Sequence, residues 1–135
     1  MNLLETSKRL AELVEEESRR INVPVTISVV DIHGNIVLKQ RMHGAPLLSI
    51  EISERKAYTS ALLRMRTEEM TPLVQPGQPL YTLTSVAGGR YVALGGGIPL
   101  RVGEEVVAGV GVSGGTTEQD ISIVEAAFRR LGSVI

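Results

Sequence analysis

Cysteine is absent from this chain of 135 residues, and its absence excludes several kinds of site at once. Without thiols the protein has no disulfides, no thiolate nucleophile, no iron–sulfur cluster and no zinc site built on thiolates. A protein that uses none of these fits a reducing compartment. We therefore expect a cytoplasmic location.

Aromatic residues are scarce, since the chain has one Phe, three Tyr and no Trp. We therefore do not expect a ligand site built on stacked rings, and the core must be filled mainly by Val, Ile, Leu and Ala. The net charge is −1, with acidic and basic residues interspersed, so no basic surface is available for a phosphate backbone. Nucleic acid is not expected as a partner.

Long apolar runs are also lacking. No segment reaches the roughly 18 uncharged apolar residues that predict a membrane-spanning helix, and charged residues interrupt the leucines of the first ten positions, unlike a signal peptide. We expect neither export nor a membrane partner. With 43% apolar and 21% charged residues the chain can form a core, and we assign residues 1–135 to a single domain.

The spacing of apolar residues predicts helices at both ends and in the middle of the chain, with β-branched strands between them. Turn residues 31–35 predict a hairpin, and the proline-rich stretch 67–87 predicts mostly loop. Two strand groups separated by a helix indicate an α+β fold, in which helices pack on an antiparallel sheet, profilin-like in outline. In the predicted order α-β-β-α-β-β-β-α, the elements are helix 3–21, strands 25–31 and 36–42, helix 51–66, strands 91–94, 98–102 and 106–112, and a last helix from Thr116 or Thr117 to Leu131.

The glycines before the last helix match two known motifs. Gly109, Gly111 and Gly114 spell G-x-G-x-x-G, but a dinucleotide site needs an acidic residue about 20 positions on, and residues 133–135 are not acidic. The stretch 111–115 also spells G-x-S-x-G around Ser113, yet both histidines precede that serine. We therefore expect neither a Rossmann site nor serine hydrolysis.

Two glycine loops remain as candidate binding elements. Backbone N–H groups of Gly111, Ser113, Gly114 and Gly115 can hold an anion such as a carboxylate, although glycines also serve simply to turn a strand into a helix. The run Gly95-Gly96-Gly97-Ile98-Pro99 indicates that a ligand or a packed helix approaches the backbone there.

Lys56, His33, His43 and Met42 each have a functional and a purely structural interpretation. Lys56, in the middle helix, is either a functional amine, which requires burial to lower its pKa, or a solvated surface residue. His33 and His43 lack the spacing of a zinc site. Either histidine, or Met42, has the chemistry of a haem axial ligand, and either is otherwise an exposed loop residue.

Three sequence blocks together resemble the GlcG/HbpS/PduO C-terminal domain family: VTISVVDIHGN, KAYTSA and GGGIPLRVGEEVVAGVGVSGGTTEQD. The resemblance covers nearly the whole chain. It implies a profilin-like fold, a homo-oligomer, and haem or corrinoid binding as in some members, in bacteria that use glycolate or cobalamin-dependent diol and glycerol metabolism. The adenosyltransferase activity of PduO resides in a separate domain and is not implied. Positions that match the family's motifs are Asp31, Gly34, Lys56, Ala57, Gly96, Gly97, Pro99, Gly111, Ser113, Gly114, Gly115, Gln119 and Asp120.

Three hypotheses follow for the function. The first is a homo-oligomer that binds a small molecule, haem or a corrinoid, among the loops 95–99 and 111–115, Lys56 and Asp120. The second is an enzyme acting on a small acid or aldehyde through Lys56, Ser113 or Asp120; it is less favoured, because the sequence shows no acid/base pair, metal set or nucleophile triad. The third is a structural assembly protein whose glycines serve packing alone.

Overall fold

The computed structural model describes residues 1–132. Four helices and four strands follow one another, with three single 3-10 turns inserted before the third strand. The elements are α1 (Leu3–Ile21), β1 (Thr26–Asp31), β2 (Ile36–Arg41), α2 (Leu48–Leu63), α3 (Thr67–Met70), the turns Thr71–Val74, Leu83–Ser85 and Ala87–Gly89, then β3 (Gly97–Val102), β4 (Glu105–Ser113) and α4 (Thr117–Leu131).

The four strands form one antiparallel sheet in the order β2-β1-β4-β3. β1, whose residues are almost continuously apolar, lies in the interior of the sheet between β2 and β4. Pro99 lies in the edge strand β3, where the missing N–H of proline costs no bond between strands. The predicted α+β class with an antiparallel sheet is confirmed.

One face of the sheet carries the main apolar core. Alternate residues of β1 and β4 point to this face and meet the apolar stripes of α1 and α4, as the two-residue period of a strand and the 3.6-residue period of a helix require. Removing these side chains from water supplies most of the driving force for folding. The buried core consists of Leu10, Ala11, Leu13, Val14, Val25, Ile27, Val29, Ile98, Leu100, Ala108, Val110, Val112, Ile123, Val124 and Ala127.

The opposite face carries smaller and more polar side chains, and α2 is the main element that packs on it. Thr26 and Ser28 of β1 are fully buried there and share hydrogen bonds of 2.8 Å with the hydroxyls of Ser49 and Ser53 in α2. Small side chains let the helix backbone come close to the sheet. This explains why the sequence of α2 shows a small-residue face rather than an apolar stripe.

Two predicted boundaries are wrong. Residues 91–94 form no strand, because neighbouring side chains bind their backbone: Val92 N–H donates to the Thr59 hydroxyl at 3.0 Å, and the Thr71 hydroxyl donates to Ala93 C=O at 2.6 Å. The observed order is therefore α-β-β-α-α-β-β-α. Helix α2 begins three residues earlier than predicted and ends at Leu63, because Arg64 adopts the left-handed conformation with φ of 56°.

Candidate functional site

Lys56 lies in the interior of the protein, 2% exposed, and forms an ion pair with Asp120. Its Nζ donates to Asp120 Oδ2 and to the C=O of Val112, both at 2.9 Å. Asp120 is placed by the first turn of α4, and Val112 by the end of β4. The alternative of a solvated surface lysine is therefore wrong, and the predicted neighbourhood of Lys56 and Asp120 is present.

Burial moves the pKa values of this pair in opposite directions. Loss of water around the amine lowers the pKa of Lys56, and the attraction of Asp120 only partly offsets that change. Loss of water likewise raises the pKa of Asp120, against the effects of Lys56 and of the backbone N–H of Gly115. Each charge therefore depends on the other to remain ionised in a site with little water.

The loop 95–97 closes over this pair. A Cβ on Gly96, whose φ is +124°, would lie 2.7 Å from the C=O of Val112 and 2.9 Å from Lys56 Nζ. A Cβ on Gly95 would lie 2.5 Å from Ile121, and one on Gly97 would lie 2.6 Å from the C=O of Lys56. The sequence left two causes open for this approach, a ligand or a packed helix. The atoms that contact Gly95 belong to α4 and the backbone atom nearest Gly97 belongs to α2, so packed helices account for the approach.

The turn between β4 and α4 binds a carboxylate of the protein itself, and binding of a ligand's anionic group by these glycines stays a prediction. Gly115 N–H donates to Asp120 Oδ1 at 2.9 Å. Thr116 N–H donates to the Gln119 side chain at 2.9 Å, within a capping box that starts α4. Gly114 packs on residues 24 and 25, where a Cβ would lie 2.4 Å from the C=O of Pro24.

Gly111 and Ser113 belong to β4 rather than to a loop. A Cβ on Gly111 would lie 2.1 Å from the C=O of Ser53, so this glycine admits the backbone of α2. Ser113 pairs in register with Thr26. Lys56, Gly111, Ser113 and Asp120 line none of four clefts on the surface of residues 1–132, so ligand binding at this cluster stays a prediction.

At least four clefts open on the surface elsewhere in residues 1–132. One of about 280 Å³ lies between the end of α1 and the end of β2. A second of about 310 Å³ lies beside the β1–β2 hairpin, and clefts of about 470 and 340 Å³ lie along β3. The α1–β2 cleft is lined by Glu15, Ser18, Arg19, Asn22, Val23, Pro24, Met42 and His43, and the hairpin cleft by Gly34, Lys39, Ile50, Glu51, Glu54, Arg55, Tyr58 and Arg90. The cleft of about 470 Å³ is lined by Arg64, Met65, Arg66, Glu69, Ile98, Pro99, Arg101 and Phe128, and the cleft of about 340 Å³ by Ile32, Arg64, Arg101, Glu104, Glu105 and Val106.

The two histidines lie at opposite ends of β2. His43 lines the α1–β2 cleft together with Met42, whereas His33 is exposed in the hairpin turn, next to Gly34. The strand between them has six residues, which span about 20 Å at ~3.3 Å per residue. The histidines of one chain therefore cannot ligate the same iron.

The cleft beside the hairpin contains an arrangement that sequence reasoning missed. The guanidinium of Arg90 lies over the ring of Tyr58 at 4.5 Å from its centroid, and the rings of Tyr58 and Tyr91 are 5.3 Å apart. A cation over an aromatic face is a stabilising contact. No periodicity links residues 58 and 90, because their proximity depends on the path of the chain between α2 and β3.

Metal binding by several side chains finds no support in residues 1–132, which contain no group of three or more histidine, aspartate or glutamate residues arranged to hold an ion. In the same residues, no helix combines the length and apolar character that crossing a membrane requires.

The chain folds into a four-stranded antiparallel sheet with α2 on one face and α1 and α4 on the other. This α+β arrangement is the fold class in which its relatives are found. A family model described as haem degrading protein HbpS-like matches residues 3–129, so the chain belongs to the HbpS-like family. The resemblance to GlcG, HbpS and PduO in the sequence is thereby confirmed.

Individual relatives differ in length. The chain is 48% identical over 125 residues to an uncharacterised 15.0 kDa protein of Citrobacter freundii, covering 93% of this chain and 88% of that protein. It is 38% identical to the corrinoid adenosyltransferase PduO of Salmonella typhimurium, covering 89% of this chain but only 36% of that protein. A crystal structure titled PduOC:Heme complex is 36% identical, with a TM-score of 0.88, covering 91% of this chain and 89% of that one.

Proposed function

We propose that this protein binds haem, as a homo-oligomer in the cytoplasm. The observation that carries the proposal is the likeness to the PduOC:Heme complex, which extends over 91% of this chain at 36% identity. Haem supplies iron chemistry that the side chains lack, and the protein has only to hold it and provide an axial ligand. The adenosyltransferase activity named for full-length PduO is not part of the proposal, because this chain matches about a third of that protein.

The α1–β2 cleft is the proposed place for the iron. His43 is exposed there and provides an imidazole, the commonest protein ligand of haem iron, and Met42 provides a thioether beside it. Arg19, in the same cleft, suits a propionate. A volume of about 280 Å³ accommodates part of a macrocycle, so the donors fit haem and the remainder of the ring extends beyond the cleft.

The hairpin cleft is the alternative place. It contains three cations, Lys39, Arg55 and Arg90, together with the ring of Tyr58, and His33 lies next to its Gly34. The two locations predict different axial ligands. This makes a matched pair of histidine variants decisive.

Enzymatic chemistry by Lys56 and Asp120 is not proposed. Both groups are 3% exposed and bind one another, Val112 and Gly115, so neither presents a reactive atom to the four described clefts. The function that remains favoured is binding.

The test is a titration of the purified protein with hemin, followed through the visible absorption spectrum at known subunit concentration. We expect a saturable shift of the Soret band. The variant His43→Ala should change the position of the band and weaken binding at least about tenfold. His33→Ala, an exposed histidine ten positions away, is the matched control and should behave like the wild type.

Each other outcome has a defined meaning. A loss of the shift in His33→Ala alone would move the iron to the hairpin cleft. The absence of any saturable shift in the wild type would contradict haem binding. A parallel titration with hydroxocobalamin tests the corrinoid alternative, which rests on the likeness to a corrinoid adenosyltransferase.

A further inference from the structure

Residues 71–89, which we call the arm, combine two properties that occur separately elsewhere in the chain. The arm contains no Asp, Glu, Lys or Arg, and with Met70 it forms the longest stretch without them. Other uncharged stretches, such as 25–30 and 108–113, are buried strands, whereas not one residue of the arm is buried. Its exposed or half-buried apolar side chains are Leu73, Val74, Leu80, Tyr81, Leu83, Val86 and Ala87.

The arm has a defined conformation made by its own backbone. Successive turns join Gln78 N–H to Gln75 C=O at 2.9 Å and Leu83 N–H to Leu80 C=O at 3.0 Å, and Leu80 N–H closes a larger loop on Leu73 C=O at 3.0 Å. At its far end, the guanidinium of Arg55 donates to the C=O of Gly89. The backbone is therefore satisfied, and the apolar side chains are left on the outside.

Such a segment is costly in an isolated chain. Fixing the backbone of each residue costs roughly 1–2 kcal/mol in conformational entropy, and the arm offsets none of it by fully burying a side chain. Leu80, Tyr81 and Val86 are 39%, 53% and 46% exposed within seven positions of the chain, and grouped exposed apolar side chains mark an interaction site. Depletion of charge with retention of tyrosine and aliphatic residues is typical of the centre of a protein interface.

We infer that the arm is the surface through which two copies of this chain associate. In a contact between two identical surfaces, residues close to the twofold axis lie near their own copies, so a charge there would face a like charge, and a surface without charges avoids that repulsion. The arm has 19 residues, close to the ~20–30 that one partner contributes to an interface of standard size. This inference deepens the homo-oligomer in the proposed function and is independent of haem.

The first test measures the mass of the full-length protein in solution by light scattering after size exclusion. We expect the wild type to be a dimer or a larger assembly. Tyr81→Glu, in the middle of the arm and 53% exposed, should lower the mass toward the monomer. Leu47→Glu, at an apolar position that is 76% exposed but outside the arm, is the control and should keep the assembled mass.

The second test does not depend on disrupting the assembly. Because the chain lacks cysteine, Ser85→Cys places a single thiol in the arm and Glu12→Cys places one on α1, where the Glu12 side chain is 68% exposed. Alkylation of Ser85→Cys should slow at least about tenfold between dilute and concentrated protein, as burial in an interface removes access. Alkylation of Glu12→Cys should not change.

Three results would overturn the inference. They are a wild type that is monomeric at every concentration, a Tyr81→Glu variant that keeps the wild-type mass, and alkylation of Ser85→Cys that is independent of concentration. Hemin titration of Tyr81→Glu separates this inference from the proposed haem site: a monomeric variant that still binds hemin supports both, and an assembled wild type that binds no hemin contradicts only the haem proposal.

Discussion

The ion pair of Lys56 and Asp120 illustrates what single residues contribute to this fold. Both side chains are 3% exposed, and their charges are held 2.9 Å apart. A buried charge is tolerated when its partner is present and is expensive when the partner is removed. The pair joins α2, the end of β4 and the start of α4.

We expect Lys56→Met or Asp120→Asn alone to lower the free energy of unfolding by about 3–5 kcal/mol, because each leaves one charge buried without its partner. The double variant should lose less than the sum of the two. Urea unfolding of the four proteins measures these values. As a control, Lys39→Met removes an ion pair with Glu54 that is 26% and 49% exposed and should cost less than about 1 kcal/mol. Additive losses would contradict the coupling.

Asp31 gives a prediction for pH. Its carboxylate accepts hydrogen bonds from the N–H groups of Asn35 at 3.0 Å and His33 at 2.9 Å, and the bond from Asn35 contributes most to lowering its pKa. A folded-state pKa below the unfolded value stabilises the protein above the unfolded pKa, and this contribution disappears as pH falls through the folded pKa.

Asp31→Asn keeps the shape of the side chain and removes its charge. We therefore expect the variant to be less stable than the wild type near pH 7, by no more than about 1 kcal/mol at this partly exposed site, and the difference to vanish as the pH falls through the lowered pKa of Asp31. Urea unfolding at several pH values measures the difference. A difference that stays constant over this range would show that the charge of Asp31 is not its source.

At the scale of elements, the contact between α2 and the sheet depends on glycine. A Cβ on Gly109 would lie 2.1 Å from the C=O of Ala57. No small adjustment of side chains relieves this contact, because the backbone fixes the position of a Cβ and the C=O is itself part of the backbone. Gly109 and Gly111 thus set how closely the helix approaches β4. The G-x-G pattern of the sequence serves this approach.

We expect Gly109→Ala to destabilise the protein by more than about 3 kcal/mol or to prevent folding, since the helix must move away from the sheet. Gly103→Ala is the control: its φ is +61° but a Cβ there meets nothing within 4 Å, so only backbone strain of about 1–2 kcal/mol applies. Circular dichroism and urea unfolding compare the two. An equal loss in both variants would mean that strain, and not the contact with α2, explains Gly109.

The same element shows how far sequence reasoning reaches. The apolar spacing of α1 and α4 and the β-branched run of β1 predicted those elements, because their burial follows a simple period. Lys56 and its neighbours in α2 gave no such signal, since the buried residues of α2 are Ser, Thr and Ala with one tyrosine and one lysine. Whether Lys56 is solvated or buried depends on Gly96, Val112 and Asp120, which lie 40 or more positions away in the chain.

The glycine loops show a related limit. Their sequences predicted a loop able to bind a ligand's anionic group and a close approach to the backbone by a ligand or a helix; the structure shows the close approach and a carboxylate of the protein itself. The sequence could not tell that Asp120 is the carboxylate at Gly115 and that α2 and α4 are what approaches Gly95 and Gly97. A loop that binds a ligand and a loop that binds one of the protein's own side chains require the same residues.

For the whole molecule, folding and association are expected to be linked. The arm contributes exposed apolar surface in one chain, and a second copy that covers it binds the folded state alone. Anything that binds only the folded state raises its stability in proportion to the logarithm of its concentration. The protein is then its own stabilising ligand.

The melting temperature of the wild type should therefore rise with protein concentration, whereas that of Tyr81→Glu should not. At 100 times the dissociation constant of the assembly the expected gain is about 2.7 kcal/mol, which amounts to roughly 10 °C for a domain of this size. Differential scanning calorimetry over a hundredfold range of concentration measures the slope. Leu47→Glu should keep the concentration dependence, and equal melting temperatures of the wild type at all concentrations would contradict the linkage.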